Sequence, residues 1–151
     1  MAITTALTNA AKLAFLRGEH AAGDVYKIAL IRVGHTGTYN VDTLAFGTST
    51  GSPTTTNLGT DEVANGSGYT SGGATLGTYA TTLTGDVASI DWADASWGAA
   101  TFSAVGCMIY NDTDAGKPCV AVIDFGGTIT SSGGTFAITI PSSGTGLVRI
   151  T

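Results

Sequence analysis

At 151 residues with 43% hydrophobic side chains, the chain has the length for one domain that buries roughly 68–70% of its unfolded surface without staples. Only 11% of its residues are charged, against a usual ~25%, and a net charge of −5 from 6 basic and 11 acidic residues argues against a nucleic-acid binder, because little here neutralises phosphates. With 22 glycines and much Thr, Ser and Ala, the composition fits either a compact, Gly-rich β protein or, more sharply, one whose sparsely charged surface is occupied by neighbours in an assembly.

The first segment predicts the one helix, over about residues 5–17. Leu7, Ala10, Ala11, Leu13, Ala14 and Leu16 give it a broad apolar face, and Thr8, Asn9 and Lys12 a narrower polar stripe. Thr4 or Thr5 is the expected N-cap and Gly18 the expected end. The same residues lack the basic start of a secretion signal, and Lys12 interrupts the apolar run. No run of 18 apolar residues predicts a membrane span. These features point to folding in a reducing cytoplasm.

Asp24–Val33 reads as the first strand, with Tyr26, Ile28 and Leu30 on one face and Val25, Ala29, Ile31 and Val33 on the other. From Gly34 to Gly59 the chain turns polar, and only Val41–Phe46 within it resembles a short strand. So long a weakly patterned stretch predicts a contact loop, one that can be shortened without unfolding the domain. Asp61–Gly73 (DEVANGSGYTSGG) is rich in glycine, but it lacks the Lys-Ser/Thr ending of a P-loop and the strand-to-helix setting of a dinucleotide fingerprint, so its glycines are assigned to turns. Strand-like segments then recur at Ala74–Leu83, Val87–Trp92, Thr101–Tyr110, Cys119–Phe125, Thr135–Ile140 and Leu147–Ile150, with Gly, Asp, Ser and Pro between them. Short strands spaced in this way mean an all-β sandwich or barrel.

Ala104–Tyr110 and Cys119–Phe125 are apolar on both faces and flank Asn111–Pro118, a connector made of turn residues. They predict a central hairpin covered on both sides. If Tyr110 lies opposite Cys119, Cys107 lies opposite Val122, and the two cysteines are buried small hydrophobes rather than a bridged pair. A different loop register leaves a bridge open.

Catalytic patterns are sparse. His20 and His35 lie outside any nucleophile motif, and there is no GxSxG, HExxH or CxxC. Asp86, Asp91 and Asp94 gather around Trp92, an arrangement open to glycoside chemistry but more often found capping turns. Asp112–Gly116 (DTDAG) starts like a calcium loop but lacks the closing Glu. Trp92, Trp97, Tyr69 and Tyr79 are either a sugar-stacking platform or core. No catalytic, cofactor-binding or metal-binding residue is assigned.

The segments DEVANGSGYTSGGATL, IDWADASWGAATFSAVGCMIYN and KPCVAVIDFGGTITSSGGTFAITIP, with a closing LVRI, together resemble a family of small tailed-bacteriophage virion proteins. That family shares an N-terminal helix, a strand like DVYKIALI, a Gly-rich GYTxGG segment and a hairpin ending in DFGG. The resemblance spans most of the chain, although residues 34–59 are longer than the family pattern. It implies a non-enzymatic structural protein of the virion that needs no cofactor. The expected role is capsid decoration (cement), with the major capsid protein and further copies of the chain as partners. The alternative role is a tail or fibre component that recognises host glycan through Trp or Tyr. The fold expected is mainly β: a jelly-roll-like antiparallel sandwich with one N-terminal helix, forming one domain over residues 1–151. The sandwich would span about residues 24–151, with a polar loop at about 34–60.

Overall fold

The computed structural model describes residues 1–142 and 146–150; residues 143–145 and 151 of the expected sandwich span lie outside the described residues. Strand β1 (Ala6–Leu7) leads into helix α1 (Asn9–Arg17), followed by β2 (Tyr26–Arg32) and, after a long connection and a 3₁₀ turn at Gly59–Asp61, by β3 (Ala74–Leu76). Then come β4 (Ala80–Thr84), β5 (Val87–Asp91), β6 (Ala95–Asn111), β7 (Cys119–Ile138) and β8 (Val148–Ile150). The fold is mainly β, with two antiparallel sheets and one helix, as the segment pattern predicts. The sheet orders are β1-β7-β6-β2-β3 and β4-β5-β8. These two sheets are consistent with a β-sandwich, and the strand orders do not by themselves establish a jelly roll.

The helix starts at Asn9, not at residue 5, because Ala6 and Leu7 pair with Val122 and Ala121 of β7. Thr8, fully buried, is the N-cap: its hydroxyl accepts from Ala11 N at 3.1 Å and donates to Cys119 O at 2.6 Å, which ties the helix to β7. Thr4 and Thr5 hold other partners. Thr4 N donates to Tyr39 O, and the Thr5 hydroxyl accepts from Asp124 N. Gly18 ends the helix as expected, in the left-handed conformation at φ 71°. Only Ala11 and Ala14 of the helix are buried, and Leu16 is 86% exposed.

The hairpin expected at the centre is β6–β7, and it is longer than its apolar runs. Tyr110 lies opposite Cys119. An extra residue, Val120, then bulges from β7, so Cys107 faces Ile123 rather than Val122. A larger bulge follows where Phe125–Thr128 stand opposite the single residue Val105, between the pairs Gly106↔Asp124 and Ala104↔Ile129. Asp124 Oδ1 accepts from Gly126 N at 2.9 Å, and Gly126 takes φ 73°. The DFGG segment is therefore a bulge inside one strand, and Thr135–Ile138 continues β7 instead of forming a separate strand.

The central strands separate two apolar clusters. On one face Tyr26, Ile28 and Leu30 of β2 join Cys107 and Ile109 of β6, with Trp92, Trp97 and Phe136. On the other, Ala29, Ile31, Met108, Tyr110 and Val122 are covered by Tyr39, Phe46 and Leu58. Those last three come from the stretch predicted to be a contact loop. The prediction of dispensability fails because the stretch forms the second core layer: Tyr39 and Leu58 are fully buried, and Phe46 stacks on Tyr110 with ring centroids 4.3 Å apart. Local hydroxyl and amide bonds hide the pattern, since few of its apolar residues are adjacent in sequence.

Candidate functional site

Two buried carboxylates organise the region around the long connection. Asp61 is fully buried and sits at the end of the 3₁₀ turn. It accepts from Gly37 N at 2.6 Å, Tyr39 Oη at 2.7 Å and Thr36 N at 2.9 Å, and pairs with Arg32 at 3.3 Å. Burial alone would raise its pKa, but the hydrogen bonds from Gly37, Tyr39 and Thr36 outweigh burial and the pKa is lowered. Glu62 Oε1 accepts from Tyr69 Oη at 2.6 Å and Gly72 N at 2.7 Å. Tyr69 Oη in turn accepts from Leu30 N, and Tyr110 Oη donates to Gly72 O. The Gly-rich segment is thus pinned against β2. Gly73, at φ 79°, leaves no room for a Cβ, which would collide with the Ile28 carbonyl. Sequence reasoning assigned these glycines to turns but missed Asp61 and Glu62. Their partners lie up to 29 residues away, a separation no local spacing encodes.

His20 packs 4.9 Å from Phe15, with Asn111 Nδ2 3.2 Å from its Nδ1. Burial lowers its pKa, against the opposing pull of the Asp24, Asp114 and Glu19 carboxylates. His35 lies elsewhere, its Nδ1 2.9 Å from Gly37 O. Cys107 and Cys119 are free and fully buried, and burial pushes both thiols up. They belong to opposite apolar clusters, so the sheet itself separates them.

The aspartates near Trp92 do separate jobs. Asp94 Oδ1 accepts from Ile140 N, Asp86 lies in the β4–β5 turn, and Asp91 ends β5. In the DTDAG turn Asp112 pairs with Lys117 at 2.7 Å and Lys27 at 2.9 Å, while Asp114 Oδ1 accepts from Gly116 N. Among the described residues no group of three His, Cys, Asp or Glu side chains is placed to hold a metal ion. No helix among them is long and apolar enough to cross a membrane. Of the four aromatics nominated for sugar stacking, Trp92, Trp97 and Tyr69 are buried in the core, and Tyr79 is half-buried between Tyr26 and Trp92.

What the surface does offer is one uncharged, apolar groove. An open groove of about 490 Å³ lies between the end of α1 and the small sheet, lined by Phe15, Leu83, Ala88, Ile90, Val148 and Ile150. Leu83 is 73% exposed and Ile150 64%. Four of the six basic residues of the chain (Arg17, Lys27, Arg32 and Lys117) are ion-paired within it. The groove itself can make dispersion and backbone contacts, while the charge left over on the rest of the surface is negative, with Asp42, Asp86, Asp94, Asp114 and Asp124 exposed.

Comparison with models of protein families, with curated proteins and with solved structures finds no match.

Proposed function

We propose that the chain is a non-enzymatic structural protein of a tailed-bacteriophage virion, a decoration protein that docks on the head lattice. The sequence resemblance supplies the particle. The structural observation that carries the docking is the neutral apolar groove at the small sheet, on a chain that uses most of its basic side chains internally. Many copies on a symmetric lattice make weak contacts of this kind sufficient, because avidity substitutes for one tight interface. The major capsid protein is the partner in this reading. Its shell, once decorated, is stabilised by a ligand that binds only the assembled state.

The test is pelleting of the purified protein with expanded empty heads, and separately with tails, of the phage that encodes it. Saturable binding to heads in a symmetric stoichiometry, with heads that withstand higher temperature, is the expected result. Binding to tails alone overturns the decoration role in favour of a tail component. Such a component would have to use a surface other than the nominated tryptophans, which lie in the core.

A further inference from the structure

Among the described residues, the small sheet ends on a strand that carries none of the usual protections against pairing. β4 is terminal in the order β4-β5-β8. It reads Ala80-Thr81-Thr82-Leu83-Thr84, with no charge, no proline and no break in its register with β5. Monomeric proteins blunt such edges with lysine, proline or bulges, because an unpaired row of N–H and C=O groups is a template for another strand. The β4–β5 turn is the two-residue Gly85-Asp86, with Gly85 at φ 60° in the first central position, where a type II′ turn needs it. In such a hairpin Thr84 and Val87 close the ladder, so Thr82 bonds inward and Thr81 and Leu83 direct their backbone groups outward. The Ser89 hydroxyl, 3.5 Å from Thr82 O, lies on that inward side.

We infer that β4 pairs antiparallel with β4 of a second copy of this chain, about a twofold axis at Thr82. The strand is self-complementary in that register. Leu83 of each copy stands opposite Thr81 of the other, Thr84 opposite Ala80, and no charged residue of the strand meets its like. Thr81, Leu83, Ala88, Ile90, Val148 and Ile150 share one face by their pairing. The two Leu83 side chains, diagonal neighbours across the seam, therefore cover one another. A charged or proline-bearing partner strand would not need so bare an edge, and a symmetric contact uses the same patch on both subunits. The result is one continuous six-stranded sheet, β8-β5-β4 followed by the partner's β4-β5-β8. This inference uses the edge of the same small sheet that lines the proposed docking groove, but it is tested on the free chain with no phage head present.

The experiment is sedimentation velocity of the full chain together with amide hydrogen exchange. A 15.1 kDa chain that sediments at twice that mass, with Thr81 and Leu83 amides protected more strongly as concentration rises, is the expected result. Leu83→Lys places like charges side by side at the seam and, at a side chain so exposed, should yield a monomer with an unchanged far-UV spectrum. Leu16→Lys, on the exposed face of α1, should leave the dimer intact. A wild-type chain that stays monomeric at its highest soluble concentration overturns the inference. So does a dimer that survives Leu83→Lys, or one in which the Thr81 and Leu83 amides exchange freely.

Discussion

Asp61 shows how one side chain fixes a long segment. Its carboxylate, itself fully buried, gathers two backbone N–H groups, a tyrosine hydroxyl and Arg32. Asp61→Asn keeps the shape but turns an amide donor towards N–H groups that need an acceptor. The expected loss is on the order of 3 kcal/mol near pH 7, read as a lower urea midpoint. The pH dependence has a definite sign. Because the folded-state pKa of Asp61 is lowered, its contribution is complete above the unfolded carboxyl value of about 4 and is lost as pH falls through the folded value. Wild type and Asp61→Asn should therefore converge in stability as the solution is acidified. A gap that stays constant into acid would show that the charge of Asp61 does not hold the segment. Asp112 shifts in the same direction: burial raises its pKa, but Lys117 and Lys27 outweigh burial, so wild-type acid sensitivity belongs to more than one group.

At the scale of elements, the connection between β2 and β3 behaves as a layer of the core. Phe46 is 3% exposed, stacked on Tyr110, with Lys117 Nζ 5.9 Å from its ring centroid. Phe46→Ala should cost about 3–5 kcal/mol in chemical denaturation, and removing most of residues 34–59 should leave the chain unfolded. A shortened chain that melts like the wild type would restore the dispensable-loop reading. The contrast with β2 and β6 explains what was legible in the sequence. Those strands are continuous apolar runs, so their central place and the two faces of β2 could be read directly, whereas the Tyr110–Cys119 register entered only as a condition that the structure meets. Val120 and Phe125–Thr128 could not be placed, because a bulge is set by the partner strand and leaves no periodic mark. The helix start was misplaced for a similar reason: Ala6 and Leu7 have helical propensity, but pairing with β7 takes them into a strand. The groove at the small sheet was missed because Leu83 stands alone among threonines, and its apolar neighbours arrive from β5 and β8.

At the scale of the molecule, two sheets and one inserted layer bury the apolar residues of the central strands and leave an outer surface with little free positive charge. The buried polar groups, among them Thr8, Asp61, Glu62 and Asn111, serve internal attachment. That division of labour is compatible with the proposed role of a protein held in place by neighbours. Contacts made through the uncharged groove at the small sheet respond weakly to salt, since screening acts on exposed charge pairs. The measurement that bears most directly on this account is a cryo-electron-microscopy map of the intact particle whose genome encodes the chain. The account predicts density with this five-plus-three-stranded fold, repeated at symmetry-related positions on the outside of the head, with the small sheet at a contact. Density for the chain in the tail, or a particle that contains none of it, would contradict the account.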